Sequence, residues 1–333
     1  MISILITGGM GFIGSNFIRY LLDITQEFNV INVDKLTYAG NPQNLKNIKE
    51  SFSDRYEFFK TDICDFDAIN RLVKTKNIEY IINFAAESHV DRSIDNPNIF
   101  IETNIMGTQS LLNVALKNNL KKYLQISTDE VYGSLDFEDP PFTENSQISP
   151  NSPYSASKAS ADLLVRSYFK TYGLPVNITR CSNNYGPFQF PEKLIPLMIN
   201  NALSDRPLPV YGKGINIRDW IHVKDHCAAI YKVLKDGNIG EIYNVGGDSE
   251  ISNLDLVKTL LKLVKKPESL IRFVKDRPGH DLRYAINHEK ITKELGWNPK
   301  IKFQDGLKST VEWYMDNQEW LKAILNKNQN SKN

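Results

Sequence analysis

The sequence is short of several things. Its 333 residues include three cysteines, Cys64, Cys181 and Cys227. That is too few, and an odd number, for a disulfide framework, and it suits a reducing compartment, the cytoplasm. No apolar run approaches the ~20 residues that a membrane span needs. The N-terminus enters an apolar strand pattern directly, without the order of an export signal, so no export is expected. Neither sign of charge is in excess: 40 Lys and Arg face 39 Asp and Glu. A chain so balanced has no bulk attraction to nucleic acid or to a membrane. No internal repeat or low-complexity segment stands out. What remains is ordinary globular composition, 41% apolar and 24% charged, in a chain long enough for one large domain or two.

Ile2 to Thr7 reads as a short strand. Gly8-Gly9-Met10-Gly11-Phe12-Ile13-Gly14 follows, then Phe17, Ile18, Leu21 and Leu22 at helical spacing. Strand, glycine turn and helix in this order make a dinucleotide-binding fingerprint. Gly8 allows the tight turn, Gly11 lets backbone approach a pyrophosphate, and Gly14 lets helix pack on strand. The helix start, at Phe12 and Ile13, offers free N–H groups and a positive dipole end to phosphates. The spacing G-x-x-G-x-x-G departs from the usual G-x-G-x-x-G, and its context supplies the support. A second apolar run, Val30 to Val33, ends on Asp34, 20 residues past Gly14. A carboxylate there accepts hydrogen bonds from an adenosine ribose and repels a 2′-phosphate, which favours NAD over NADP. Lys35, Leu36 and Thr37 continue the same candidate cofactor loop.

Further strands are expected at Tyr56 to Lys60, Tyr80 to Phe84, Tyr123 to Ser127 and Val176 to Arg180. Asp62 and Ile63 follow the third and are placed to flank an adenine, Asp62 also being a candidate cap for a helix from Phe66 to Val73. The fourth closes on Ala85-Ala86-Glu87-Ser88-His89, small residues that suit a backbone passing close to a cofactor at a strand end. Long helices are expected over Pro97 to Leu120, which carries Thr103 toward the cofactor, and over Tyr154 to about Tyr172. This alternation argues for an α/β fold, a doubly wound (Rossmann), mostly parallel sheet with right-handed crossovers. After Asn184-Tyr185-Gly186-Pro187 prolines recur and segments shorten, which suggests a smaller C-terminal α/β domain. Asp219 to Lys235 reads as helix, and Glu241 to Val245 as a strand returning to the main sheet. The expected division is an NAD-binding domain over 1–183 with a returning segment near 219–248. A substrate-binding domain follows over 184–218 and 249–325, then a frayed tail over 326–333.

Tyr154 and Lys158 are four apart and share one helix face. A free phenol has a pKa of ~10, and a nearby ammonium favours the phenolate and lowers that value. The lysine also reaches for a ribose hydroxyl. Such a pair can take the proton from a sugar hydroxyl while hydride leaves the same carbon for a nicotinamide.

With these residues in view, the chain resembles the extended short-chain dehydrogenase/reductase superfamily and, within it, the 4,6-dehydratases that act on dTDP-glucose. The resemblance covers about residues 1–315. It rests on Thr7 to Ser15 (TGGMGFIGS), Phe84 to Ser93 (FAAESHVDRS), Ser127 to Gly133 (STDEVYG) and Tyr154 to Lys158 (YSASK). It rests further on Arg180 to Pro187 (RCSNNYGP), Pro191 to Pro196 (PEKLIP) and Asp276 to Tyr284 (DRPGHDLRY). Met10 replaces the alanine more common in the fingerprint.

The resemblance implies that Asp129 is the acid and Glu130 the base of a water elimination, in which NAD is regenerated each cycle. Once C4 of the sugar is a ketone, the C5 proton lies alpha to a carbonyl. A carboxylate can remove that proton while a carboxylic acid protonates the departing C6 hydroxyl, if their environments split their pKa values. Thr128 is expected to hydrogen-bond the C4 hydroxyl, with Ser88 or His89 lining the sugar pocket. Arg218, Lys193 and Arg277 are candidates for the diphosphate. The family pattern also implies sugar-nucleotide contacts from Asn183, Lys193, Leu194, Pro209, Val210, Tyr211, Arg218, Asn253 and Asp276 to His280, with Asn184 beside the nicotinamide. It implies a homodimer with the helices near Thr103 to Leu120 and Tyr154 to Tyr172 in a four-helix interface. His222 and His226, four apart beside Cys227, lack further ligands for a metal, and an ordinary helix face is the preferred reading. The rival activities are a nucleotide-sugar 4-epimerase, a dehydratase of another nucleotide-sugar, and an NAD-binding regulator without catalysis. Choice of thymine rests on the resemblance alone.

Overall fold

The computed structural model describes residues 1–330. Its strands are β1 (Ile2–Thr7), β2 (Phe28–Asp34), β3 (Tyr56–Lys60), β4 (Ile78–Asn83), β5 (Lys122–Thr128), β6 (Val176–Cys181), β7 (Asn183–Tyr185), β8 (Leu208–Tyr211), β9 (Ile217–His222), β10 (Ile242–Val245), β11 (Glu250–Ser252) and β12 (Ile271–Val274). Seven of them form one sheet in the order β10-β6-β5-β4-β1-β2-β3. Every neighbouring pair in that sheet is parallel. From β3 onward this is the 3-2-1-4-5-6 order of a doubly wound dinucleotide fold, extended by β10.

The strands form where the apolar runs lie because both sheet faces are covered. In β1, Ile4 and Ile6 face Phe17, Ile18 and Leu21 of the helix Phe12–Ile24, while Leu5 faces the opposite core with Ile81 and Leu111. Side chains alternate between faces, so a strand buried on both reads as an unbroken apolar run. The order reverses at β1 and β4, and a cleft opens at their C-terminal ends.

Four local readings change. The stretch Pro97 to Leu120 is not one α-helix: a short turn Asn98–Phe100 passes into a π-helical segment Ile101–Met106 before the α-helix Gly107–Lys117. Within the π segment, Asn104 accepts from Glu87 N at 2.9 Å and donates to Glu87 O and Ser157 Oγ, which ties the wider turn to the cleft wall. Asp219 to His222 is strand, not helix. It pairs with β7 and β11, and the helix begins only at Val223 and runs to Asp236. Asp65, not Asp62, caps the helix Phe66–Thr75, accepting from Ala68 N at 2.9 Å. Last, the helix Gln318–Asn330 runs on through the polar stretch after Asn326 that reads as frayed. Residues 331–333 of that tail lie outside the described residues.

Beyond the main sheet, β11-β9-β7 and β12-β8 form two small sheets. They share a third core built from Tyr185, Ile195, Trp220, Leu256, Phe303 and Tyr314. Among the described residues no helix is long and apolar enough to cross a membrane.

Candidate active site

The dinucleotide end of the cleft is shaped by what a side chain would obstruct. Gly8 has φ +68°, and a Cβ there would lie 2.6 Å from Ala85 N. A Cβ on Gly14 would lie 2.4 Å from Gly8 O. The helix Phe12–Ile24 starts from Gly11 with no side-chain cap and no acidic residue in its first turn. Its terminal N–H groups are left for an anion. Asp34 is set by the backbone, accepting from Met10 N at 2.9 Å and Leu36 N at 2.7 Å. Below the cleft, Thr7 Oγ1 donates to Asn83 Oδ1 and Asn83 Nδ2 to Gln125 Oε1, joining β1, β4 and β5.

The glycine loop and Asp34 line one cleft of about 300 Å³. Its walls include Gly8, Gly11, Phe12, Ile13, Gly14, Asp34, Lys35, Thr37, Asp62, Ile63, Ala85, Ala86, Ser88 and Thr103. Lys35 Nζ meets Asp62 at 2.6 Å. Leu36 does not line it. With φ +58°, it serves the turn and hands its N–H to Asp34. The glycine cradle, the uncapped helix end and the acid at the end of β2 together fit a dinucleotide diphosphate and ribose.

At the other end the same cleft is lined by Thr128, Asp129, Glu130, Tyr154, Lys158, Asn183, Asn184 and Lys193. The acidic pair lies just past β5, in a 3₁₀ turn Asp129–Tyr132 whose cap is Thr128, accepting from Glu130 N at 3.3 Å. Tyr154 and Lys158 come from the helix Pro153–Tyr172, which starts on a capping box of Ser152 and Ser155. Lys158 Nζ donates to Ile126 O at 2.7 Å, and the Tyr154 hydroxyl shares a hydrogen bond with Thr128. Asp129 Oδ2, Ser127 Oγ and Asn183 Oδ1 are buried without a hydrogen-bond partner among the described residues. All three residues line the cleft, where a bound molecule would meet them.

Burial decides the protonation states. It raises Asp129 well above the ordinary carboxylate value, with the Glu130 charge adding to the effect. It raises Glu130 too, but there Lys193, Arg218 and Arg277 pull back. The environments of the two carboxyls therefore differ in the sense an acid and a base require, Asp129 the more protonated. The expectation for Tyr154 is corrected. Burial, reinforced by Glu130, holds its phenol well above 10, and burial also lowers Lys158. Desolvation is the largest effect on both groups.

The candidates for the diphosphate are placed differently from one another. Lys193 Nζ lies in the cleft and donates to Ser88 O at 2.6 Å. Arg218 is 5% exposed, donates to the carbonyls of Ile217 and Asp281, and lies 4.3 Å over the Tyr284 ring. No carboxylate among the described residues lies within ion-pair distance of it, and Glu130 and Asp281 act on its charge from farther off. Arg277 sits with Tyr211 and Asp276 in a second recess beside Asp91, its Nη1 being 3.7 Å from Asp91 Oδ1. His280 bonds Asp276 at 2.7 Å. His89 caps the short helix Val90–Asp95, Leu194 opens the helix Leu194–Leu203, Pro209 and Val210 lie in β8, and Asn253 opens the helix Asn253–Leu263. None of these five lines the first cleft.

The cleft also has walls that the residue-by-residue reading leaves out. Glu87, Cys181 and Glu192 line it, and each lies inside a motif already quoted. Tyr38, Gln189 and Phe190 line it from irregular loops, where no periodicity marks them. His222 is the cap of its helix and not on its face, and His226 is buried, its Nδ1 2.9 Å from Asn184 Oδ1. No group of three potential metal ligands occurs among the described residues.

Residues 5–310 match the family described as GDP-mannose 4,6 dehydratase. The chain is 49% identical to dTDP-glucose 4,6-dehydratase of Neisseria meningitidis serogroup B, covering 98% of this chain and 97% of that one. It is 51% identical to dTDP-glucose 4,6-dehydratase of Salmonella typhimurium, covering 96% and 95%. The solved dTDP-glucose 4,6-dehydratase from Bacillus anthracis, in complex with NAD, superposes with a TM-score of 0.91 at 48% identity, over 97% of this chain and 100% of that one. UDP-glucose 4-epimerase from Thermotoga maritima also superposes, with a TM-score of 0.88, at 28% identity over 95% and 100%. The chain belongs to the dTDP-glucose 4,6-dehydratase family, a branch of the extended short-chain dehydrogenases/reductases.

Proposed function

We propose that the protein is an NAD-dependent hydro-lyase that converts dTDP-glucose to dTDP-4-keto-6-deoxy-glucose. One observation carries the elimination: Asp129 and Glu130 line the same cleft as Tyr154 and Lys158, and their surroundings protonate them unequally. A redox pair alone would serve an epimerase. The added acid and base are what the loss of water needs.

Gly8, Gly14 and the open end of the helix Phe12–Ile24 would hold the cofactor diphosphate, and Asp34 a ribose. Bound NAD supplies the acceptor of hydride from C4 and its later donor to C6, and its oxidised ring brings the positive charge that the buried phenol calls for. Tyr154 takes the proton of the C4 hydroxyl, with Thr128 sharing its hydrogen bond and orienting the same oxygen. Lys158, anchored on the Ile126 carbonyl, supports a ribose and favours the phenolate as charge develops. Glu130 removes the C5 proton and returns a proton to C5 when hydride reaches C6. Asp129, held protonated by its burial, gives a proton to the departing C6 hydroxyl. Lys193, Arg218 and Arg277 would balance the substrate's diphosphate, and their field keeps Glu130 the more ionisable of the pair.

The same reading extends to assembly. Ile99, Ile101 and Met106 are exposed on the stretch Asn98–Lys117, as are Leu163 and Tyr172 on the helix Pro153–Tyr172 packed beside it. An apolar face of two parallel-lying helices, repeated by a two-fold axis, makes a four-helix interface, so the active unit is a homodimer. The three cysteines are free, which accords with a cytoplasmic protein. Incubation with dTDP-glucose tests the activity: a 4-keto product absorbing in alkali is expected. Recovery of dTDP-galactose would instead reject the elimination.

A further inference from the structure

The C-terminal helix Gln318–Asn330 reaches back to the glycine loop. Trp320 Nε1 donates to Asn44 Oδ1 at 2.9 Å, and Asn44 Nδ2 donates to Met10 O at 3.0 Å. Asn41 N donates to the same carbonyl at 2.9 Å, while Met10 N donates to Asp34. The peptide of Met10, inside the cofactor cradle, is thus gripped at both ends. Arg19, on the helix whose first turn faces the cleft, donates Nε and Nη2 to Asn44 O at 2.9 and 2.6 Å. Its guanidinium lies 4.8 Å over the Phe188 ring, which packs 5.8 Å from Trp320.

Asn44 is 1% exposed. Its amide is oriented because each end has one partner: the indole for the oxygen, Met10 for the nitrogen. Without the indole, the amide keeps its donor on Met10 O but loses the contact that seats its oxygen, so the loop is held from one side only. The Trp320 ring also stacks in an aromatic cluster, so the N–H is delivered from a rigid platform rather than from a mobile surface side chain.

The geometry points to Trp320 and Asn44 as positioning residues that hold the Gly8–Gly11 loop in its dinucleotide-binding shape, so that the C-terminal helix governs how tightly NAD is retained. This rests on the proposed reading of the cleft as an NAD site. A cofactor reduced and reoxidised within one turnover has to remain bound between the two steps, and the sequence-distant clamp serves that need.

Equilibrium dialysis of NAD against the cofactor-stripped full chain tests the assignment. Trp320→Phe keeps a ring in the cluster and deletes only the donor. Its Kd for NAD is expected to rise about three- to tenfold, the scale of one neutral hydrogen bond. The melting temperature of the NAD-free protein should stay near that of the wild type, which a purely structural role would move instead. Asn44→Asp keeps the acceptor for the indole but loses the donor to Met10, and should weaken NAD at least as much. Because the two residues act in series, Trp320→Phe with Asn44→Asp should be no weaker than Asn44→Asp alone. Unchanged NAD affinity in either single variant, or additive losses in the double, overturns the proposal. A wild-type chain that takes up no NAD overturns the cofactor reading itself, which keeps the two failures distinct.

Discussion

At the scale of single residues, the chemistry is divided by burial. Asp129 is 1% exposed and carries a carboxyl oxygen with no hydrogen-bond partner among the described residues, while its neighbour Glu130 is relieved by three cations. Removing the base should therefore separate the steps. In Glu130→Gln, solvent exchange at C5 is expected to slow by roughly 10²–10⁴, with dTDP-glucose still bound and NADH still formed on mixing. Normal exchange, read by mass spectrometry in D₂O, would take Glu130 out of that role. Tyr154→Phe should act one step earlier, lowering the rate of NADH formation by roughly 10²–10⁴ in stopped-flow absorbance. A wild-type burst in that variant would reassign the proton transfer. The spacing of Tyr154 and Lys158 is legible in the sequence, since four residues bring two side chains to one helix face. Their proton affinities are not, because they depend on burial and on hydrogen bonds and charges from residues as distant in the chain as Ile126 and Cys181.

At the scale of elements, the strand–loop–helix unit at the N-terminus is where pattern and structure agree most closely, β1 spanning the expected residues. Gly8 and Gly14 are required by approach distances to backbone, which a neighbouring side chain cannot relieve by moving. Gly14→Ala should push the helix start from the loop, with an overpacking cost of about 1–3 kcal/mol. The expected outcome is loss of most co-purified NAD while the fold remains, checked by absorbance of the heat-released nucleotide and by circular dichroism. Full NAD occupancy would show that the helix shifts without harm. By contrast, β9 reads as helix because Trp220, Ile221 and their neighbours carry no alternation. Its strand character comes from pairing with β7 and β11, partners close in space but without a mark in the local pattern.

At the scale of the whole molecule, two quantities follow from how the parts close on one another. His226 is enclosed between its helix and the main core and is lowered by burial to about 3. The unfolded chain takes up that proton near 6.5, the folded one only near 3. Stability from this group is therefore complete above pH 6.5 and is lost as the pH falls toward 3. Between pH 7 and 5 the loss from His226 is about 2 kcal/mol at 1.36 kcal/mol per unit. Urea unfolding of the protein and of His226→Gln at both pH values checks this: the variant should lose less on acidification. The second quantity is assembly. Leu163→Glu places a charge on the exposed apolar face and should convert a dimer to monomers in sedimentation velocity, and a dimer unaltered by it would move the interface elsewhere.

The sequence by itself determined the local geometry of recognition. A run of apolar residues, glycines at fixed intervals and an acid at the end of the next strand specify a dinucleotide cradle because those requirements are met within one βαβ unit. The motifs likewise named the residues on which the proposed mechanism rests. Tertiary structure alone decided how those residues behave: the raised phenol of Tyr154, the unequal carboxyls, the Arg218 cation spent on carbonyls, and the Trp320 indole brought to a loop that precedes it by some 300 residues. Proton affinity and long-range hydrogen bonding depend on what excludes water from a group, and that is settled only when distant segments pack against each other.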